Sequence, residues 1–120
     1  MLSPPAGTRV FLATEAVDMR RGHDGLCALV RGRFSLDPYC GQVFVFVGKR
    51  GDRIKAIFWD RGGFVLYYKR LSRGRFQVPR VCAGTDHIML DPTELSMLLG
   101  GFDLKTRRVA AWEPKRARVA

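Results

Sequence analysis

Acidic residues are scarce in this chain: 11 Asp and Glu stand against 21 Lys and Arg in 120 residues, leaving a formal net charge of +10. A charge of that size says little about fold, but it directs the protein toward polyanions, either nucleic acid or an anionic membrane surface. Long hydrophobic runs are also missing. No purely apolar stretch is longer than Val43–Val47, far short of the ~20 residues a membrane-spanning helix needs. The start, Met1-Leu2-Ser3-Pro4-Pro5, has neither the basic flank nor the apolar core of a secretory signal. Cysteine is sparse, with Cys27, Cys40 and Cys82 widely spaced and no Cys-x-x-Cys pair. Thiols in that pattern are expected to be unpaired and buried or half-buried, as in a reducing compartment. No membrane attachment is expected, and the cytoplasm is the expected location.

Catalytic signals are equally thin. No phosphate-cradling Gly-Lys-Ser/Thr loop, nucleophile motif or paired carboxylates stand out. His23 and His87 are isolated, which leaves no zinc ligand set. Asp24, Asp37, Asp52, Asp60 and Asp91 stand where caps and turns are expected, so each has a structural task that needs no metal. Arg50-Gly51-Asp52 is read as part of a hairpin turn. The expectation is a protein that is not an enzyme, with no catalytic residue, metal or cofactor.

What is present is a globular composition, 47% hydrophobic and 27% charged, which excludes a disordered chain. At 13.5 kDa it is expected to form one α+β domain over residues 1–104, followed by a basic, flexible tail over 105–120. The centre reads as an antiparallel β-meander of about four strands: Val43–Val47, then 53–59, 64–71 and 76–78, separated by short glycine-bearing turns. Residues 9–14 read as a further strand beside Val43–Val47, giving a sheet of about five strands, and residues 87–90 as a possible short addition. Leu26, Leu29, Val30 and Phe34 recur at helical spacing, with Asp18 or Asp24 as the candidate cap. Asp91-Pro92-Thr93-Glu94 is a strong helix start, stopped by Gly100-Gly101. One helix thus precedes the meander and one follows it.

The charge is unevenly placed. Residues 48–75 hold nine cations against only Asp52 and Asp60, whereas residues 76–104 are net acidic. The candidate DNA-binding residues are therefore Lys49, Arg50, Arg53, Lys55, Arg61, Lys69, Arg70, Arg73 and Arg75, with Trp59 and Tyr67 as bases' stacking partners. Side-chain alternation suggests that Arg53, Lys55, Trp59, Tyr67 and Lys69 share one face; the alternative for Trp59 and Tyr67 is a core position with a polar edge. The tail adds Lys105, Arg107, Arg108, Lys115, Arg116 and Arg118 against Glu113. Arg107, Arg108, Lys115 and Arg116 are the candidate secondary DNA contacts.

Several of these stretches carry a family resemblance. Asp18-Met19-Arg20-Arg21-Gly22-His23-Asp24-Gly25-Leu26, Phe44-Val45-Phe46, the run from Lys49 to Lys55, Trp59-Asp60, Lys69-Arg70-Leu71 and Gly74-Arg75-Phe76 with Pro79 resemble the accessory proteins of the insertion sequence 66 family. These are the small second-frame proteins, often labelled TnpB, of this class of bacterial transposable element. The resemblance covers about residues 9–104. It departs at His23 and Val78, where the family usually has an aromatic, and at Val47, where a basic or polar residue is common. It implies a helper in transposition that works beside a separate, larger transposase, and it supplies no catalytic residues. DNA binding follows from the charge map instead. The alternative is a non-catalytic adaptor that recruits or regulates the transposase; a small nuclease is a third, weaker reading.

Overall fold

The computed structural model describes residues 2–79 and 85–101. Strand β1 (Val10–Ala13) leads to helix α1 (His23–Gly32), then β2 (Val43–Val47), β3 (Arg53–Asp60), β4 (Gly63–Arg70), β5 (His87–Leu90) and helix α2 (Pro92–Leu99). A single 3-10 turn, Pro38–Cys40, precedes β2, with the Asp37 carboxylate accepting from the Tyr39 N–H at 2.9 Å. The five strands form one sheet in the order β4-β3-β2-β1-β5.

The fold is α+β with one helix before the meander and one after it, and the sheet is mostly antiparallel. Its one parallel pair is β1 with β2, in the register Val10↔Val43 to Leu12↔Val45. The cause lies in the connection: α1 carries the chain across one face of the sheet, and a helical crossover returns the next strand in the same direction. β5 closes the far side, pairing antiparallel with β1 from Val10↔Leu90 to Ala13↔His87.

β2 lies inside the sheet and is apolar at every position because both of its faces are covered. Phe44 and Phe46 point to the α1 side, where Phe11, Leu26, Val30, Phe34 and Ile57 fill a core. Val43, Val45 and Val47 point to the other side, against Leu95, Leu98 and Leu99 of α2. Val47 sits in that core, which accounts for an apolar residue there.

Three expectations need correction. Residues 76–78 do not form a fourth meander strand. The chain turns back to the β2–β3 turn, where the Leu71 N–H donates to the Asp52 carbonyl (2.8 Å) and the Phe76 N–H to the Gly51 carbonyl (2.7 Å). Burying Phe76 in the α2-side core outweighs pairing it along the open edge of β4. Second, neither Asp18 nor Asp24 caps α1: Gly22 is the cap residue and makes no side-chain bond. Asp18 instead accepts from Arg20, and Asp24 lies within the first turn. Third, Cys40 is exposed while Cys27 is buried, and burial pushes the Cys27 thiol pKa up. Cys82 and the tail over 105–120 lie outside the described residues.

The start of α2 forms as the sequence indicates. The Asp91 carboxylate accepts from the Glu94 N–H at 2.7 Å, and the Glu94 carboxylate accepts from the Asp91 N–H at 3.0 Å. Asp91→Ala is expected to lower stability by about 1 kcal/mol. A thermal melt that does not move would contradict this reciprocal cap.

Candidate nucleic-acid interface

The strand directions decide where the cations gather. β1 and β2 end at the same edge of the molecule, β3 begins there and β4 returns there. Three segments therefore gather there: residues 18–21 after β1, the β2–β3 turn with the first residue of β3, and residues 70–75 from the end of β4. Together they bring Arg20, Arg21, Lys49, Arg50, Arg53, Arg70, Arg73 and Arg75 to one end of the sheet, against Asp18 and Asp52. All of these cations except Arg53 are exposed.

Local chemistry fixes this arrangement. The Val17 N–H donates to the Val47 carbonyl at 3.0 Å, forming a parallel bridge between Val17 and Gly48. Gly48 is needed at that point, because a Cβ there would lie 2.6 Å from Met19 Cγ. Gly51 takes φ +80° and packs against the Arg75 side chain, where a Cβ would come within 3.2 Å, so the β4 exit rests on the β2–β3 turn. Asp18 and Arg20 form an exposed ion pair, Nη2 to Oδ2 at 2.7 Å. The Arg20 side chain and N–H hold the Asp18 carboxyl below the usual carboxylate range.

The predicted contacts divide into groups. Lys49, Arg50, Arg53, Arg70, Arg73 and Arg75 share the cationic end. Lys55 is turned to structure: its Nζ donates to the carbonyls of Met19 and Arg21, both at 2.8 Å, and lies 5.1 Å from the Tyr68 ring centroid. Lys69 Nζ donates to the Leu99 carbonyl at 2.7 Å and so closes the C-terminus of α2. Arg61 is at the opposite end, beyond eight-residue strands that span roughly 25 Å. Arg107, Arg108, Lys115 and Arg116 lie outside the described residues.

The expected common face of Arg53, Lys55, Trp59, Tyr67 and Lys69 does not form. Asp60 pairs with Gly63, and from there Trp59 faces Phe64, Lys55 faces Tyr68 and Arg53 faces Arg70. Odd positions of β3 thus share a side with even positions of β4. Arg53, Lys55 and Trp59 point to the α1 side, whereas Tyr67 and Lys69 align with Ala56 and Ile54 on the α2 side. Trp59 packs instead with Tyr39 and Phe64, at ring-centroid distances of 5.0 and 5.1 Å.

Arg20 and Arg21 belong to the cationic end but were not among the sequence-derived candidates. The available signal was the strand–helix–strand order, which makes β1 and β2 parallel and puts the residues after both at the same end.

Two substitutions probe this geometry. Lys55→Met removes two charge-assisted bonds to the 18–21 segment and is expected to cost about 1–3 kcal/mol; urea unfolding measures it, and an unchanged midpoint would contradict the clamp. At the far turn, Arg61 has φ +39° and Gly62 φ +89°, the two-residue hairpin pattern that favours Asn or Gly first. Arg61→Asn is expected to raise the thermal midpoint slightly, and a drop would show that the arginine side chain has a packing role.

Among the described residues, no three His, Cys, Asp or Glu side chains come together to hold a metal ion, and no helix is long and apolar enough to cross a membrane. Fold and charge define a small basic α+β protein with eight cations gathered at one end of a mixed sheet. Residues 8–109 match the family model described as IS66 Orf2 like protein. Two similar relatives are known from Sinorhizobium fredii. The uncharacterized protein y4jC is 46% identical over 103 residues, covering 86% of each chain. The uncharacterized protein y4hO is 38% identical over 116 residues, covering 97% of this chain and 98% of its own length. No solved structure matches the chain. The protein belongs to the IS66 Orf2-like family, and that membership supports an accessory role in transposition.

Proposed function

We propose that the protein serves transposition by binding DNA of its insertion sequence through the cationic end of the sheet, alone or with the transposase, and performs no bond chemistry itself. The observation that carries this reading is the convergence of eight cations from three separate segments, with only two carboxylates among them. Most of these cations are held by turns stitched to one another, so less conformational freedom is lost when a phosphate backbone is engaged. A flexible chain of equal charge would be discounted for its ordering.

A second reading, the adaptor, draws on a different surface. Tyr39 and Tyr68 are 51% and 50% exposed on the α1 side of the sheet, Tyr39 beside Phe64 and Tyr68 on the edge strand β4. Exposed aromatic residues of this kind suit a protein contact. The two readings separate in a gel-shift titration with element-end DNA, with and without transposase. A shift by the protein alone is expected; a shift only when transposase is present would favour the adaptor.

A further inference from the structure

Between residues 17–20 and the β2–β3 turn lies an open cleft of about 400 Å³. Its two sides differ in chemistry. Val17, buried, and Met19, half-buried, give it an apolar wall. On the other side stand Asp52 and Arg53, each with a buried atom, Oδ1 and Nε, that has no hydrogen-bond partner. Lys49 and Arg50 stand exposed at the cleft. Buried polar atoms of a native protein are normally paired, so two neighbouring residues of the cleft wall carry one unmet donor and one unmet acceptor.

We propose that this cleft receives a single unpaired nucleotide of a DNA strand, with its phosphate on Arg53 and its base against Met19 and Val17. A bare phosphate fits poorly: it satisfies the Arg53 N–H, but it is repelled by the Asp52 carboxylate and leaves that acceptor empty. A nucleotide supplies both halves, a phosphate oxygen for Arg53 and a base N–H for Asp52, and its flat base covers the apolar wall. The volume is that of a small-ligand recess and does not admit a double helix. In a duplex, moreover, the base is stacked and its pairing edge is occupied. Lys49 and Arg50 then meet the phosphates flanking the inserted nucleotide. The inference rests on the cationic end being a DNA contact, and it specifies which form of DNA that end prefers.

Charge alone predicts the opposite preference, because duplex DNA releases more counterions per contact than a single strand. The form preference therefore tests the cleft and not the field around it. Three fluorescently labelled oligonucleotides of one sequence are compared by anisotropy at one salt concentration: a blunt duplex, the same duplex with a short unpaired tail, and the single strand. The tailed duplex and the single strand are expected to bind about tenfold tighter than the blunt duplex, the scale of one flat base covering a small apolar wall. Arg53→Gln and Met19→Ala are expected to bring that ratio close to unity. Arg73→Gln, outside the cleft, is expected to weaken all three complexes alike and leave the ratio intact. Equal binding of all three forms by the unaltered protein would overturn the cleft proposal while leaving DNA binding standing. So would a preference that survives both cleft variants. Failure to bind any form would overturn the DNA reading as well.

Discussion

Phe44→Ala is expected to remove about 3–5 kcal/mol of stability, the range for an aromatic residue emptied from a close-packed core. Phe44 is fully buried at the middle of the sheet, opposite Phe11 on one side and Ile57 on the other. Its ring stacks on Phe11 with centroids 5.5 Å apart and planes 16° from parallel. No neighbour can relax into the space without moving a strand, because β2 is held by β1 and β3 at once. Domains of this size have only about 5–15 kcal/mol in total, so the variant should unfold at far lower urea. Val65→Ala, on the exposed edge strand, should stay within about 0.5 kcal/mol. Equal midpoints for the two variants would mean that β2 is not the centre of the core.

The second large effect concerns binding. Replacing Lys49, Arg50, Arg73 and Arg75 together by alanine is expected to weaken DNA binding by between about a hundredfold and several thousandfold at 0.1 M salt, if two to four of them meet phosphates. All four are exposed and make no side-chain ion pair among the described residues. The variant gives up the Arg75 contact with Gly51 but no core contact, so it should lose far less stability than Phe44→Ala, which separates the two results. Arg61→Ala, at the far end of the β3–β4 hairpin, should leave affinity within about twofold, since a charge more than a Debye length from the contact is largely screened. A loss of equal size from Arg61→Ala would place the interface along the whole hairpin.

Much of this molecule was legible in its sequence. The run Val43–Val47 announced a strand, Asp91-Pro92-Thr93-Glu94 announced a reciprocally capped helix, and the glycine-bearing turns announced the two hairpins. What failed was the relation between elements. Tyr67 and Lys69 were placed with Arg53 and Lys55 because each strand's alternation was read alone. The two-residue turn Arg61-Gly62 contains the missing phase: it pairs Asp60 with Gly63, so facing residues have opposite parity.

Long side chains were the other obstacle. Lys55 and Lys69 look like field charges in a list, yet each spends its ammonium on backbone carbonyls that arrive from distant segments. Nothing within their own strands indicates that Met19, Arg21 or Leu99 will be there. The 76–78 segment has the composition of a strand, and only the core beneath the β2–β3 turn explains why Phe76 goes inward. Arg20 and Arg21 were missed for a similar reason, since their place depends on β1 and β2 running parallel.

The most direct test of the account is a salt titration of DNA binding by the intact protein and by the variant lacking Lys49, Arg50, Arg73 and Arg75. The account predicts that log affinity falls steeply and linearly with log salt for the intact protein, by about 0.9 per phosphate contact on duplex DNA or 0.7 on a single strand. The variant's slope should be shallower by about 2–4 contacts. A shallow slope for the intact protein, or slope and affinity unchanged in the variant, would contradict the claim that this end of the sheet is where the protein meets DNA.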